Sequence, residues 1–504
     1  MPSLEDLLEE TRQQEEPRIV APSKTDLGGV DPLGLRQINF GLMDRVLPDL
    51  NNVARHIRPY VVMAWAWRRV RTIVETGKTM GASDAEMRDF VDRIEAIYAW
   101  SQFLNDPNTD IPGRQAMQAL ISEKSYNFGG PAWEARRNMR RYSTGFISPL
   151  NYGPSLRTLG WLLPVEQGLG VFQPDPSLDP LLDKFEHAIR DELGHAAFSE
   201  FGEVKVKRKD ARRWGALWRL HDLAKIEKKT MFSRLGGSEA SNVRREGIAL
   251  VIAAYTDLQK PEPSPEAIRT RMADLPEAWN NESSRPAVSD EWRTLQVRQL
   301  FRLALESLFF WTIGELFQGP MRSAQIAQTF LTSVKSATEV PGTAEEWMLS
   351  ANAEDNPVEL LRQIQVELHR RPRDDKQLAA AIISALAFCL MEAPDQSHAF
   401  ESADRLPLRR AKQDADAWSS LRPVEFLTRI FESWIMAQHA YWAVGRGLAD
   451  ARSRGKQILR LKIVMDEGGW TLTPGTTKQG NPPEPTPDRL ETAISLLKEC
   501  GKLK

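Results

Sequence analysis

Glu192 and His195 stand three residues apart in a helical stretch, with Glu186-His187 shortly before them. A Glu-x-x-His pair aims a carboxylate and an imidazole to one side of a helix, as di-iron carboxylate bundles do to hold metal. Such a centre needs a second Glu-x-x-His and two further carboxylates. The chain has no second copy, so a solvated helix face is the simpler reading. Cations offer a second chemistry. Lys205, Lys207, Arg208, Lys209, Arg212 and Arg213 crowd into nine residues beside a single acid, Asp210. Arg68 with Arg69, and Arg136, Arg137, Arg140 and Arg141, form two more basic groups. Most charge runs are solvated faces, but three basic clusters in one part of the chain suit the phosphates of nucleic acid, with DNA the expected partner. No Gly-x-x-x-x-Gly-Lys-Ser/Thr loop, Gly-x-Ser-x-Gly elbow or His-Glu-x-x-His pair occurs, which argues against an NTPase or a serine hydrolase. His369, His398 and His439 read as isolated structural histidines.

His221-Asp222-Leu223-Ala224-Lys225 resembles the central His-Asp step of the HD phosphohydrolases. That resemblance implies a metal set with His195 as first ligand, His221 and Asp222 in the middle and Asp257 as last. The competing reading is a segment whose Asp222 pairs with a neighbouring Lys or Arg.

The stretch Asp31–Arg71 packs a Leu-Gly turn, a Leu-Pro-Asp-Leu-Asn-Asn break, an Arg-His-Ile-Arg-Pro-Tyr step and a tryptophan-bearing helix into about forty residues. It resembles the opening of a bacterial family catalogued as a domain of unknown function, some of whose members lie in phage-defence gene neighbourhoods beside helicases or phospholipase D-like nucleases. Leu33, Gly34, Leu47, Pro48, Arg58, Tyr60 and Trp65 carry the match. Asp49 stands where a glycine is usual, and Pro59 is inserted between Arg58 and Tyr60. The resemblance implies a subunit working beside enzymatic partners such as a helicase or nuclease, and supplies no catalytic residue.

The bulk numbers set the frame. A chain of 504 residues is too long for one ordinary core. Its 41% hydrophobic and 27% charged residues are those of a soluble globular protein, and a net charge of -2 leaves any nucleic-acid role to local patches. Two cysteines, Cys389 and Cys500, exclude a disulfide framework or a cysteine-based zinc site and favour a reducing, cytoplasmic setting. The apolar run from Leu378 to Met391 is short for a membrane span, so no membrane partner is expected. No cofactor is implied.

The elements follow from periodicity. The expected architecture is mainly α, with multi-helix bundles, an embedded winged-helix-like segment and a small C-terminal β-hairpin. Residues 1–30 read as a mobile acidic arm and 31–257 as an N-terminal helical domain. Within it a helix, a short helix and a two-stranded ribbon over about 131–175 have the order of a winged helix. Ser83 is the expected N-cap of a helix to Leu104, and Leu181–Phe201 and Val204–Lys229 are expected as single helices. Residues 258–290, rich in Pro, Asn and Ser, read as a linker. Residues 291–450 read as a helical bundle, and 451–504 as a hairpin around Asp466-Glu467-Gly468-Gly469 with a terminal helix.

Overall fold

The computed structural model describes residues 31–76, 82–139, 152–165, 170–351, 354–392, 406–454 and 460–504. The arm expected over 1–30 lies outside the described residues, as do Arg140, Arg141 and His398. The protein is mainly helical, with three small antiparallel two-stranded sheets among the described residues. Its described residues divide into two compact bodies, one within 40–296 with 486–504 and one within 31–39 with 297–485.

The first body begins in α1 (Gln37–Met43), whose chain turns at Pro48 and Asp49. Asp49 has a φ of 69°, an uncommon left-handed conformation for a residue other than glycine, and its carboxylate holds the Arg244 guanidinium. The next helix, α2 (Ile57–Glu75), is buried around its whole circumference over its first three turns and is apolar there apart from Arg58. Pro59 sits in its first turn, where a missing N–H costs nothing. A helix of this kind belongs inside the protein. It packs on α3 (Asp84–Asn105), where Ser83 is the N-cap, as expected, and forms a capping box with Glu86.

After α4 (Arg114–Ile121) come β1 (Ser125–Phe128), α5 (Pro131–Met139) and α6 (Gly153–Thr158). The ribbon of β2 (Leu162–Pro164) and β3 (Phe172–Pro174) pairs Leu162 with Pro174 and lies on α2, where Trp67 meets Phe172 edge-on at 5.6 Å. The helix, short helix, ribbon order is therefore present among the described residues.

Two expected helices are broken. Leu181–Phe201 is α7 (Asp179–Ala188), a 3-10 turn at Arg190–Glu192 and the short α8 (Ala196–Ser199). Gly194 falls in the break and His195 caps α8. Val204–Lys229 is a strand, β4 (Val204–Lys207), then α9 (Arg208–Leu217), an irregular stretch and α10 (Lys225–Leu235). Val-Lys-Val-Lys has the period of a strand, and it pairs with β1 in the register Ser125 with Lys207 to Phe128 with Val204.

Beyond α11 (Asn242–Asp257) the segment expected as a linker is folded into the first body. Its prolines and polar residues start elements: Ser264 caps α12 (Pro265–Ala273), Pro276 opens a 3-10 turn and Asn281 caps another. Arg271 pairs with Asp257, donates to the Ala278 carbonyl and stacks over buried Trp279 at 4.6 Å.

The division between bodies falls within α13 (Ser289–Leu316), later in the chain than the expected boundary. In the second body the residues from Val297 onward place Leu300, Leu303, Leu308, Trp311 and Leu316 in one core. The core is completed by α14 (Ser323–Lys335), α15 (Ala344–Ala351), α16 (Pro357–His369) and α17 (Asp375–Glu392), with α17 packed on the other three. The apolar run of α17, Cys389 included, is a buried helix. No helix among the described residues is long and apolar enough to cross a membrane. The bundle continues with α18 (Leu408–Ala417), α19 (Pro423–Arg429), a π-helical stretch Ile430–Met436 and α20 (Ala437–Arg454). The expected hairpin is β5 (Ile463–Asp466) and β6 (Gly469–Leu472), with Gly469 at φ 121° in the turn. The last helix, α21 (Leu490–Glu499), belongs to the first body and packs on α10, α11 and α12.

Trp65 is fully buried in α2, stacks against Phe185 and Phe198, and donates its indole N–H to Glu186 at 2.8 Å. Trp65→Ala is expected to cost about 3 to 5 kcal/mol in a denaturant titration. In the second body, buried His439 meets the Pro32 carbonyl through Nδ1 at 2.8 Å, while Nε2 accepts the Lys462 N–H at 2.9 Å. That pattern fits the neutral ring, and burial holds its pKa down at about 4. The unfolded chain takes up this proton near pH 6.5, so the contribution is complete above that pH and is lost as pH falls toward 4, on the order of 3 kcal/mol in all. His439→Gln should show a shallower loss of stability across that window than the parent.

Candidate nucleic-acid interface

The β1–β4 ribbon has two unlike faces. Phe128, Val204 and Val206 point inward, and Phe128 packs against Trp133 at 5.3 Å. Asn127, Lys205 and Lys207 point outward and are exposed. The ribbon runs directly into α9, whose first N–H donates to the Lys124 carbonyl at 2.9 Å, so exposed Lys124 stands beside Arg208. Sequence reasoning missed Lys124 because its partner strand lies some eighty residues on.

Helix α9 buries Ala211, Trp214 and Gly215 against α3. Gly215 permits that approach: a Cβ there would lie 2.5 Å from the Ser101 carbonyl oxygen. Fixing the inner face turns Arg208, Lys209 and Arg212 to solvent. Arg213 is also exposed but is neutralised, at 2.6 Å from Glu192 and 3.6 Å from Asp210. Lys124, Lys205, Lys207, Arg208, Lys209 and Arg212 form no ion pair among the described residues and share this outer surface, while Glu203, exposed just before β4, takes the Asn127 amide at 3.0 Å.

The other expected cations do not join it. Arg68 is tied to Asp183 at 2.7 Å and to Glu186 at 3.5 Å. Arg69 donates to the carbonyls of Phe198 and Leu193. Both are spent in holding α2 to the segment Asp179–Ser199. Arg136 and Arg137 lie on α5, whose side chains there are outside the described residues, as are Arg140 and Arg141 altogether.

The metal-ligand sets expected from sequence are not assembled. Glu192 accepts from Arg213 and from the Trp214 indole at 2.8 Å. His195 accepts the Ala197 N–H through Nδ1 and packs edge-on against Trp214 at 4.9 Å, and burial lowers its pKa. Asp257 is engaged by Arg271. Asp222 gives its carbonyl to Arg58, and His221-Asp222 lies in the irregular stretch before α10 and not on a helix. Among the described residues, one grouping of three His, Cys, Asp or Glu donors falls within metal-binding reach, and it joins His221 to His56 and Glu499. Neither partner carried a sequence signal: His56 sits among arginines, and Glu499 is far along the chain.

Compared with family models, curated proteins and solved structures, the chain gives no match.

Asp257 serves as the partner of a buried arginine. Asp257→Ala is expected to destabilise the protein by about 1 to 3 kcal/mol, since it leaves the buried Arg271 guanidinium with Asp274 at 3.0 Å as its remaining charge partner. A chemical-denaturation midpoint checks this.

Proposed function

We propose that the chain binds the phosphate backbone of nucleic acid, DNA in the first instance, through the β1–β4 ribbon and the outer face of α9. One observation carries the reading: six exposed cations on a single ribbon-and-helix surface form no ion pair among the described residues, while Glu192 and Asp210 are taken up by Arg213 and Glu203 is bonded to the Asn127 amide. Unneutralised lysines and arginines on a rigid surface gain by releasing the counterions condensed on nucleic acid. The outward residues are charged or small and polar, which suits contacts that position a duplex more than contacts that read its bases. The β2–β3 ribbon takes no part in this reading, because Phe172 is pinned against Trp67 of α2 and beneath Arg157 at 5.6 Å.

The proposed role is that of a binding subunit beside enzymatic partners. The opening-segment resemblance makes bacterial phage defence, with a helicase or nuclease as partner, the setting we propose.

The charge reversal Lys205→Glu, Lys207→Glu, Arg208→Glu and Lys209→Glu is expected to weaken DNA binding on every sequence tried. It should also flatten the plot of log affinity against log salt by about 3 to 4 units. Binding curves for parent and variant on one duplex at several salt concentrations test this. Equal affinity and equal slope would refute the interface, and binding of an acidic protein with none of DNA would favour a scaffold instead.

A further inference from the structure

We infer that His56, His221 and Glu499 form a binding site for a divalent transition-metal ion of the zinc type. The three come from the residue before α2, the stretch before α10 and the end of α21. His56 Nδ1 lies 2.7 Å and His221 Nδ1 3.5 Å from the same Glu499 oxygen, Oε1. The two rings meet edge-on at 5.4 Å.

The surroundings fix which atoms face the centre. His56 Nε2 is 2.9 Å from the Asp110 carbonyl oxygen, which only accepts, so that nitrogen carries hydrogen. Nδ1 therefore points at the carboxylate, and a bare lone pair there would repel it. At 2.7 Å the two are close enough to share a proton, and a metal ion bound to both would hold them further apart. A proton would join His56 to Glu499 but would leave the approach of His221 without a cause, since 3.5 Å is too long for a good hydrogen bond. A metal ion accounts for all three donors.

The supporting contacts are those that metal ligands need. One ring N–H of His56 goes to a carbonyl, the second Glu499 oxygen takes the Ile57 N–H at 2.7 Å, and Arg58 holds the Asp222 carbonyl beside His221. Metal–ligand bonds of about 2.0–2.2 Å in a tetrahedral site separate donors by roughly 3.4 Å. The His221–Glu499 distance already has that length, and His56 and Glu499 would open by about 0.7 Å. Two nitrogens and one oxygen favour zinc, cobalt or nickel over magnesium and calcium, which prefer oxygen alone. His56 and Glu499 are nearly buried, while the His221 side chain is 70% exposed, so the remaining coordination positions face water.

The test is calorimetric titration of the full chain, stripped with a chelator, with zinc, together with visible absorption of its cobalt form. One saturable site per chain is expected, with magnesium unable to compete. His221→Ala should weaken zinc at least about tenfold while leaving the circular dichroism and metal-free melting unchanged. Glu499→Gln should weaken it as well, and Cys500→Ser should not. Absence of saturable binding, equal affinity in His221→Ala, or loss of binding in Cys500→Ser would each overturn the site.

Discussion

The start of α2 is buried, and the construction of the first body depends on how its polar groups are satisfied there. A helix begins with N–H groups that have no partner within the helix. His56, the cap residue, offers no side-chain bond to them. Apolar residues on all sides of its first turns draw it inside, where water is scarce. The chain answers with a carboxylate from 442 positions away: Glu499 takes the Ile57 N–H and the His56 ring together. The His56 N–H donates to the Tyr152 hydroxyl, and Arg58 pairs with Glu227 at 2.9 Å, both side chains almost wholly buried. A negative group at a helix N-terminus is favourable in itself, and a buried charged pair costs most when one partner is removed. These contacts fix where the C-terminal helix and the stretch before α10 attach, and so bring His221 beside His56.

The same body uses its arginines and its lysines differently. Arg58, Arg93, Arg234, Arg244 and Arg271 are buried and lie against carboxylates or backbone carbonyls. The planar guanidinium offers several fixed donors and tolerates burial better than a lysine ammonium. Lysine dominates the outward face, at 124, 205, 207 and 209. A count of cations along the chain therefore overstates the binding surface. Of three clusters visible in the sequence, one survives as a solvent face, one is internal bonding at Arg68 and Arg69, and one lies mostly outside the described residues.

Helices were legible wherever local signals agreed. Ser83 as N-cap marked a helix start that needs nothing distant, the run Leu378–Met391 marked a buried helix, and the Asp466–Gly469 turn marked the hairpin. The basic stretch was not legible as a strand because only four residues carry its period: Val204 and Val206 alternate with Lys205 and Lys207, and the partner strand is Ser125–Phe128, short and distant. The segment 258–290 failed for another reason. Pro265, Pro276 and Asn281 are equally at home in a loop and at the first positions of helical turns, and only packing, here Arg271 over Trp279, tells the two apart. Of the candidate metal ligands the sequence offered His221 and the fold supplied His56 and Glu499. Contacts spanning more than four hundred residues leave no trace in local spacing.

A net charge of -2 over the whole chain is compatible with a cationic working face because charge acts over short distances. At physiological salt the screening length is about 8 Å, so a phosphate at the ribbon feels the side chains near it and little else. What decides the local field is how nearby acids are disposed of. Asp210 and Glu192 converge on Arg213, and Asp183 and Glu186 converge on Arg68. Each of these arginines is held by more acid than its own charge balances, and the acids so used do not reach the lysines of β4. The tie between Glu192, Arg213 and the Trp214 indole also sets the rotation of α9, which turns Arg208, Lys209 and Arg212 outward. The packing that orients the helix and the pairing that leaves its outer cations unneutralised are thus one set of contacts.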